Sequence, residues 1–235
     1  MFPIRDENPT SRITWMTWLI IAINLAVFGY EFWLSLTAGV GVFDEFVIRY
    51  SFVPARFFAS PFSPREWATV LTAMFMHGGW LHVGGNMLYL WIFGNNIEDR
   101  LGSARFLGFY LAAGLAATAA QAIVSPTSAL PTLGASGAVA GVLAAYLLLY
   151  PRARVTTLVF IFFFIEVAAI PAYLIIIVWF VIQLGSGLGS LGQATAAGGG
   201  VAYFAHIGGF IAGLALALPV WWVDRQRSAR FTDWR

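Results

Sequence analysis

Cysteine and lysine are both absent from these 235 residues. Without cysteine the chain can form no disulfide, no thiolate nucleophile and no Cys-ligated zinc site. Without lysine, a Ser-Lys catalytic pair is excluded. Charge of either sign is scarce: 13 Arg and 11 Asp plus Glu make up 10% of the chain, where an ordinary soluble domain carries about 25%. The net charge of +2 comes with no basic strip, so no nucleic acid is expected as a partner. What the chain has instead is apolar surface: 60% hydrophobic residues, ten Trp, 21 Phe and a mean hydropathy of +0.78. The lipid bilayer is the expected solvent for most of it.

A helix needs about 20 apolar residues to cross a bilayer. Stretches free of Asp, Glu, Lys and Arg occur at 13–30, 67–97 and 106–151, and from 155 to 223 the only such residue is Glu166. Pro126, Pro131 and Gly134 divide the third stretch, and the Gly-rich run 185–200 divides the last. Six spans are expected, at roughly 13–34, 79–100, 105–124, 136–150, 170–188 and 203–223. An even number puts both termini on one side. If that side is cytoplasmic, ten arginines lie inside and Arg49, Arg56 and Arg65 lie outside, the asymmetry of the positive-inside rule. Asp6 and Glu7 precede an 18-residue apolar run too long for a signal peptide, so the first helix is expected to be uncleaved. One membrane domain is expected over 1–235, with tails at 1–12 and 224–235.

All three histidines, His77, His82 and His206, fall in or at the mouth of predicted spans. Ionisable groups at that depth are costly and point to function, although interhelical hydrogen bonding would account for any one of them. No His is followed by Glu, so the His-Glu-x-x-His zinc motif is missing. The aspartates (Asp6, Asp44, Asp99, Asp224 and Asp233) lie in loops or tails, and no carboxylate is expected at membrane depth. Serine-histidine chemistry is the hydrolytic option left.

The candidate nucleophile is Ser136, in Gly134-Ala135-Ser136-Gly137 at the start of the fourth span. Glycines on both sides allow a tight turn, and a helix N-terminus offers free N–H groups to a developing anion. In the sixth span His206, Gly209 and Gly213 share one helix face, and Gly137 and Gly141 form a matching pair in the fourth. Small-xxx-small faces let helix backbones approach closely, as a contact between His206 and Ser136 would require. In the second span His82 and Asn86 stand at i and i+4, so an imidazole and an amide leave one face. Both suit an oxyanion site, and both equally suit a polar contact between helices.

These motifs resemble those of the rhomboid intramembrane serine proteases. His77, His82 and Asn86 match the family's His-x4-His-x3-Asn, Gly134–Gly137 its Gly-x-Ser-Gly, and Ala205–Gly213 its Ala-His-x-x-Gly-x-x-x-Gly. Glu98-Asp99-Arg100 matches its Glu-x-Arg. The resemblance covers roughly residues 10–223. It implies an all-α polytopic membrane protein, a six-helix rhomboid-like bundle with both termini cytoplasmic, in a bacterial cell (inner) membrane. It further implies that Ser136 is the nucleophile, His206 the base, and His82, Asn86 and the Ser136 N–H the oxyanion donors. His77, Glu98, Arg100, Gly137, Gly141, Gly209 and Gly213 would be structural. The substrates would be transmembrane proteins, with no cofactor and no metal. Trp179 and Phe180 are the candidates for a bulky lateral gate, packing the fifth span against the second. Two positions depart from the family pattern: Ala140 stands where an aromatic often supports the histidine, and Arg65-Glu66-Trp67 replaces a Trp-Arg pair in the first loop.

Residues 151–168, starting at Arg152 and Arg154, are expected to form an apolar loop at the cytoplasmic interface. That puts Glu166 on the far side from Ser136, so a dyad is expected rather than a triad. Two other functions compete. One is a catalytically silent rhomboid-like protein that binds membrane helices, and the other is a transporter using the histidines as a proton or metal path. The missing intramembrane carboxylates and the missing inverted repeat count against the transporter.

Overall fold

The structure, a computed structural model, describes residues 2–161, 164–190 and 201–232. The chain runs β1 (Phe2–Asp6), α1 (Trp15–Thr37), α2 (Val40–Tyr50), α3 (Pro54–Ala59), α4 (Pro64–Thr72), α5 (Trp80–Tyr89) and α6 (Asn95–Leu101). It continues with α7 (Ser103–Val124), α8 (Ser136–Leu149), β2 (Arg154–Ile161), β3 (Phe164–Pro171), α9 (Ala172–Ser190) and α10 (Tyr203–Thr232). By length and composition, four helices are able to cross a membrane: α1, α7, α9 and α10 as far as Gln226. The second predicted span is α5 and α6 joined by a π-helical turn at Leu90–Gly94. The fourth is the 14-residue α8.

Helix α8 is the centre of the bundle, with Gly137 to Tyr146 all buried. Helix α10 lies along it with no side chains between the backbones. A methyl placed on Gly209 would lie 2.0 Å from the Gly137 carbonyl oxygen, and one on Gly213 would lie 2.3 Å from that of Gly141. These four glycines, expected to be structural, stand where the two backbones are in direct contact. The same two glycines of α8 also meet α7, Gly137 at Ala117 and Gly141 at Ala113.

Helix α1 is capped from a distance. Its Thr14 cap makes no side-chain bond. Instead the buried Glu98 carboxylate of α6 accepts the Met16 and Thr17 N–H groups at 2.9 and 2.7 Å and the Thr17 and Ser103 hydroxyls at 2.7 and 2.6 Å. A carboxylate at a helix N-terminus pairs otherwise free donors and complements the helix dipole. Arg100 pairs with Asp224 of α10.

The segment between α1 and α5 is held by Arg56, which donates to Glu66 at 2.7 Å and to the Ile48 and Ser51 carbonyls. Trp67 donates to the Pro61 carbonyl and packs edge-on against Phe57. Phe52 and Thr132 exchange backbone hydrogen bonds, and the Gly134 N–H donates to the Ala73 carbonyl at 2.8 Å. This loop therefore fixes the approach to Ser136.

Three expectations are corrected here. The chain is mostly helical rather than all-α, because β1, β2 and β3 form an antiparallel sheet in that order. The expected loop at 151–168 is the β2–β3 hairpin, in which Val155 pairs with Ile170 and Val159 with Glu166. Its β-branched content and alternating burial at Val155 and Thr157 favour a strand, and pairing satisfies backbone groups that an apolar loop would leave open. Parts of the expected tails carry regular structure. Residues 2–6 pair with β2, and α10 continues unbroken from the expected boundary at 223 to Thr232. Gly185, Gly187 and Gly189, expected in a divider, belong to α9, and residues 191–200 of that divider lie outside the described residues.

Candidate active site

Ser136 is the first residue of α8, reached through Gly134 at φ 126°, a conformation that side chains other than glycine rarely adopt. The absent side chain is required twice over. A methyl on Gly134 would lie 2.7 Å from His82 Nε2 and 3.5 Å from Ser136 Oγ. His82 and Ser136 thus flank the Gly134 backbone.

Across the α8–α10 contact, His206 Nε2 lies 2.7 Å from Ser136 Oγ. The two residues are 70 apart in sequence and are joined by the glycine faces that the spacing predicts. His206 is 7% exposed. Its other ring nitrogen, Nδ1, lies 2.7 Å from Gln183 Oε1 of α9, and the Trp179 ring lies 5.8 Å away at 38°. Neither neighbour was foreseen as a partner of His206. The one signal in the sequence was Trp179 and Gln183 at i and i+4, which set both on the same helix face.

The aromatic contacts of Trp179 and Phe180, the expected gate residues, are with α10. Phe180 stacks on Phe210 of α10 at 4.2 Å, and Trp179 covers His206 of the same helix. Glu166 is exposed on β3, a strand that follows α8's C-terminal end, whereas Ser136 opens its N-terminal end.

On α5, Asn86 is 8% exposed and its Nδ2 has no hydrogen-bond partner among the described residues. His82 Nδ1 accepts the Gly78 N–H at 3.4 Å. That choice of acceptor leaves Nε2 as the proton-bearing nitrogen, on the Ser136 side. Ser136 also begins a helix whose first N–H groups have no intrahelical acceptor. A cavity of about 20 Å³, bordered by Thr118, Gly134, Ser136 and Ala205, has room for one water.

His77 is buried, and its ring meets that of His82 edge-on at 5.1 Å. Its backbone N–H donates to Glu31 at 3.1 Å. Glu31, 3% exposed within α1, corrects the expectation of no carboxylate at membrane depth. The expected first span, 13–34, contains this residue, and α1 runs on to Thr37. No cluster of three or more His, Asp or Glu able to hold a metal occurs among the described residues.

A family profile described as "Rhomboid domain" matches residues 64–223. The chain belongs to the rhomboid family. It is 34% identical over 154 residues to Rhomboid protease GluP of Bacillus subtilis, covering 66% of this chain and 27% of that protein. It is 28% identical over 228 residues to mitochondrial Rhomboid protein 1 of Saccharomyces cerevisiae, covering 92% and 56%. It is 35% identical over 102 residues to the mitochondrial presenilin-associated rhomboid-like protein of Bos taurus, covering 42% and 27%. The chain spans between about a quarter and just over half of the length of these relatives. Family membership and the four apolar helices make this rhomboid an integral, multi-pass membrane protein.

Proposed function

We propose that this rhomboid is an intramembrane serine endopeptidase that cleaves transmembrane-helix substrates with a Ser136/His206 dyad. The observation that carries the proposal is the 2.7 Å contact between His206 Nε2 and Ser136 Oγ. In the reaction, Nε2 takes the Oγ proton as Oγ attacks the scissile carbonyl. The resulting oxyanion accepts from His82 Nε2–H, Asn86 Nδ2–H and the Ser136 N–H. His206 then returns the proton to the leaving amine, and water hydrolyses the acyl-enzyme with the same base. The free amide of Asn86 supports this reading, since a buried donor without a partner costs stability unless a ligand uses it.

The proposal includes six spans and cytoplasmic termini. Helix α8, 14 residues and about 21 Å long, is shorter than a hydrocarbon core of about 30 Å. With its C-terminal end at the inner interface, Ser136 lies below the outer one, where the scissile bond of a membrane helix can reach it. Similarity to a Bacillus subtilis protein favours a bacterial cell membrane, and the organelle relatives name the alternative that localisation would reveal. Entry is lateral, past Trp179 and Phe180. Phe180→Ala removes a ring stacked on α10 without touching His206, so faster cleavage is expected from that single change.

The decisive experiment reconstitutes the purified protein with a panel of transmembrane reporters, with Ser136→Ala as control. Cleavage by the wild type, lost in the control together with fluorophosphonate labelling, supports the proposal. Cleavage that survives Ser136→Ala overturns it. A folded wild type that neither cuts nor labels would be a silent helix-binding rhomboid.

A further inference from the structure

Among the polar groups that the dyad and its oxyanion donors do not use are the Glu31–His77 contact, the Glu98 cap and Gln183. Glu98 acts on the end of α1, and Glu31 touches only the His77 backbone. Gln183 alone touches a proposed reacting residue.

We propose that Gln183 is a positioning residue for the dyad, holding His206 in the tautomer and orientation in which Nε2 is free to take the Ser136 proton. This rests on the reading of Ser136 and His206 as nucleophile and base. A neutral imidazole has one N–H and one lone pair, and the partner of one nitrogen decides the role of the other. Gln183 Oε1, 2.7 Å from Nδ1, can only accept. Nδ1 therefore carries the proton, and Nε2 presents its lone pair to Ser136 Oγ at 2.7 Å. In the opposite tautomer Nε2–H would point at the serine, and His206 could not act as a base. A neutral amide thus does the orienting that a carboxylate does in a serine triad, without placing a second charge in a dry site.

Among the described residues, the hydrogen bond and the aromatic contact that the His206 ring makes outside its own helix, apart from Ser136, both come from α9. Trp179 and Gln183, one turn apart, cover the ring and its Nδ1. Helix α8 offers only Ala140 at the position where an aromatic platform would stand, and α7 meets this turn of α10 through Ala116, Ala117 and Ala120. The titratable neighbour across the site is His82 of α5, beyond Gly134. An outward movement of α9 would therefore carry off both supports at once.

The test compares two variants of the full chain in the reporter assay. Gln183→Met keeps the volume and loses the acceptor. The expected result is a kcat lower by about 10- to 100-fold with little change in KM, a fraction of what general-base catalysis supplies. Gln183→Glu keeps the acceptor and adds a charge. It should restore kcat to within several-fold, and the acidic limb of kcat against pH should move to higher pH, because a carboxylate at Nδ1 favours the imidazolium. A role in helix packing alone would lower both variants and leave that limb in place. Wild-type kcat in a folded Gln183→Met protein, or an unmoved acidic limb in Gln183→Glu, overturns the inference. Ser136→Ala, run beside them, separates the two claims: if it still cleaves, the dyad reading falls, and if it is dead while the Gln183 variants behave as wild type, only the present inference falls.

Discussion

The two ends of α8 are built from similar polar side chains put to opposite use. Around its C-terminal end the groups saturate one another. Asp6 accepts the Tyr146 hydroxyl at 2.9 Å and the Asn96 amide, Asn96 in turn accepts from Asn8, Glu98 accepts four donors, and Arg100 pairs with Asp224. Around its N-terminal end donors are left over. Of seven buried side-chain polar atoms without a partner among the described residues, three belong to His77 and Asn86. A saturated cluster ties α1, α6, α8, α10 and the sheet together and has nothing left for a ligand. An unsaturated one gives up stability to keep its donors ready.

Four substitutions would break or sharpen that contrast. At the N-terminal end, His206→Ala should cost at least about 10⁴-fold in kcat with the thermal midpoint little changed, because base and nucleophile act as a unit. A correspondingly large drop in the midpoint would make His206 a packing residue. At the C-terminal end, Glu98→Ala should do the reverse, leaving the N–H groups of Met16 and Thr17 unpaired at a cost of about 2–4 kcal/mol. Chemical unfolding in detergent would read it, and the folded fraction should keep its specific activity.

Asn86→Ala should lower kcat by about 10²-fold, the usual loss for one preorganised oxyanion donor. Because the amide it removes has no partner, stability should hold or rise. If only KM changed, Asn86 would serve binding. The smallest effect is expected from Glu166→Gln, within about twofold in kcat, since the carboxylate is exposed on β3 and the Nδ1 position it would need is taken by Gln183. A large loss there would restore a triad.

Periodicity and spacing made the helical part of the fold legible. Predicted spans coincide with α1, α5–α6, α7, α8, α9 and α10 to within a few residues at most ends, because hydropathy alone decides where a backbone can be satisfied without water. The sheet was not legible by this route. Residues 155–161 and 164–170 are mostly apolar, interrupted by Thr156, Thr157 and Glu166, and short apolar runs suit a strand or a buried helix equally until the partner strands are known. Here β2 pairs with β3 on one side and, on the other, with residues 2–6, some 150 positions away in the chain. Glu31 lies inside the expected span 13–34, but a single charge in a span carries no local sign of whether the fold buries it.

The sequence by itself determined which residues are the candidates to react. Ser136 between glycines, His206 on a small-residue face, and His82 and Asn86 one turn apart are local patterns, and helix geometry converts each into a direction. Only the tertiary structure decided how they act. The proton position on His206 depends on Gln183 of α9, and that on His82 on the Gly78 N–H. The cap on α1 depends on Glu98, more than 80 residues downstream. Hydrogen bonds between helices carry no periodic signature, so the spacing of residues can name the donors and acceptors but not pair them.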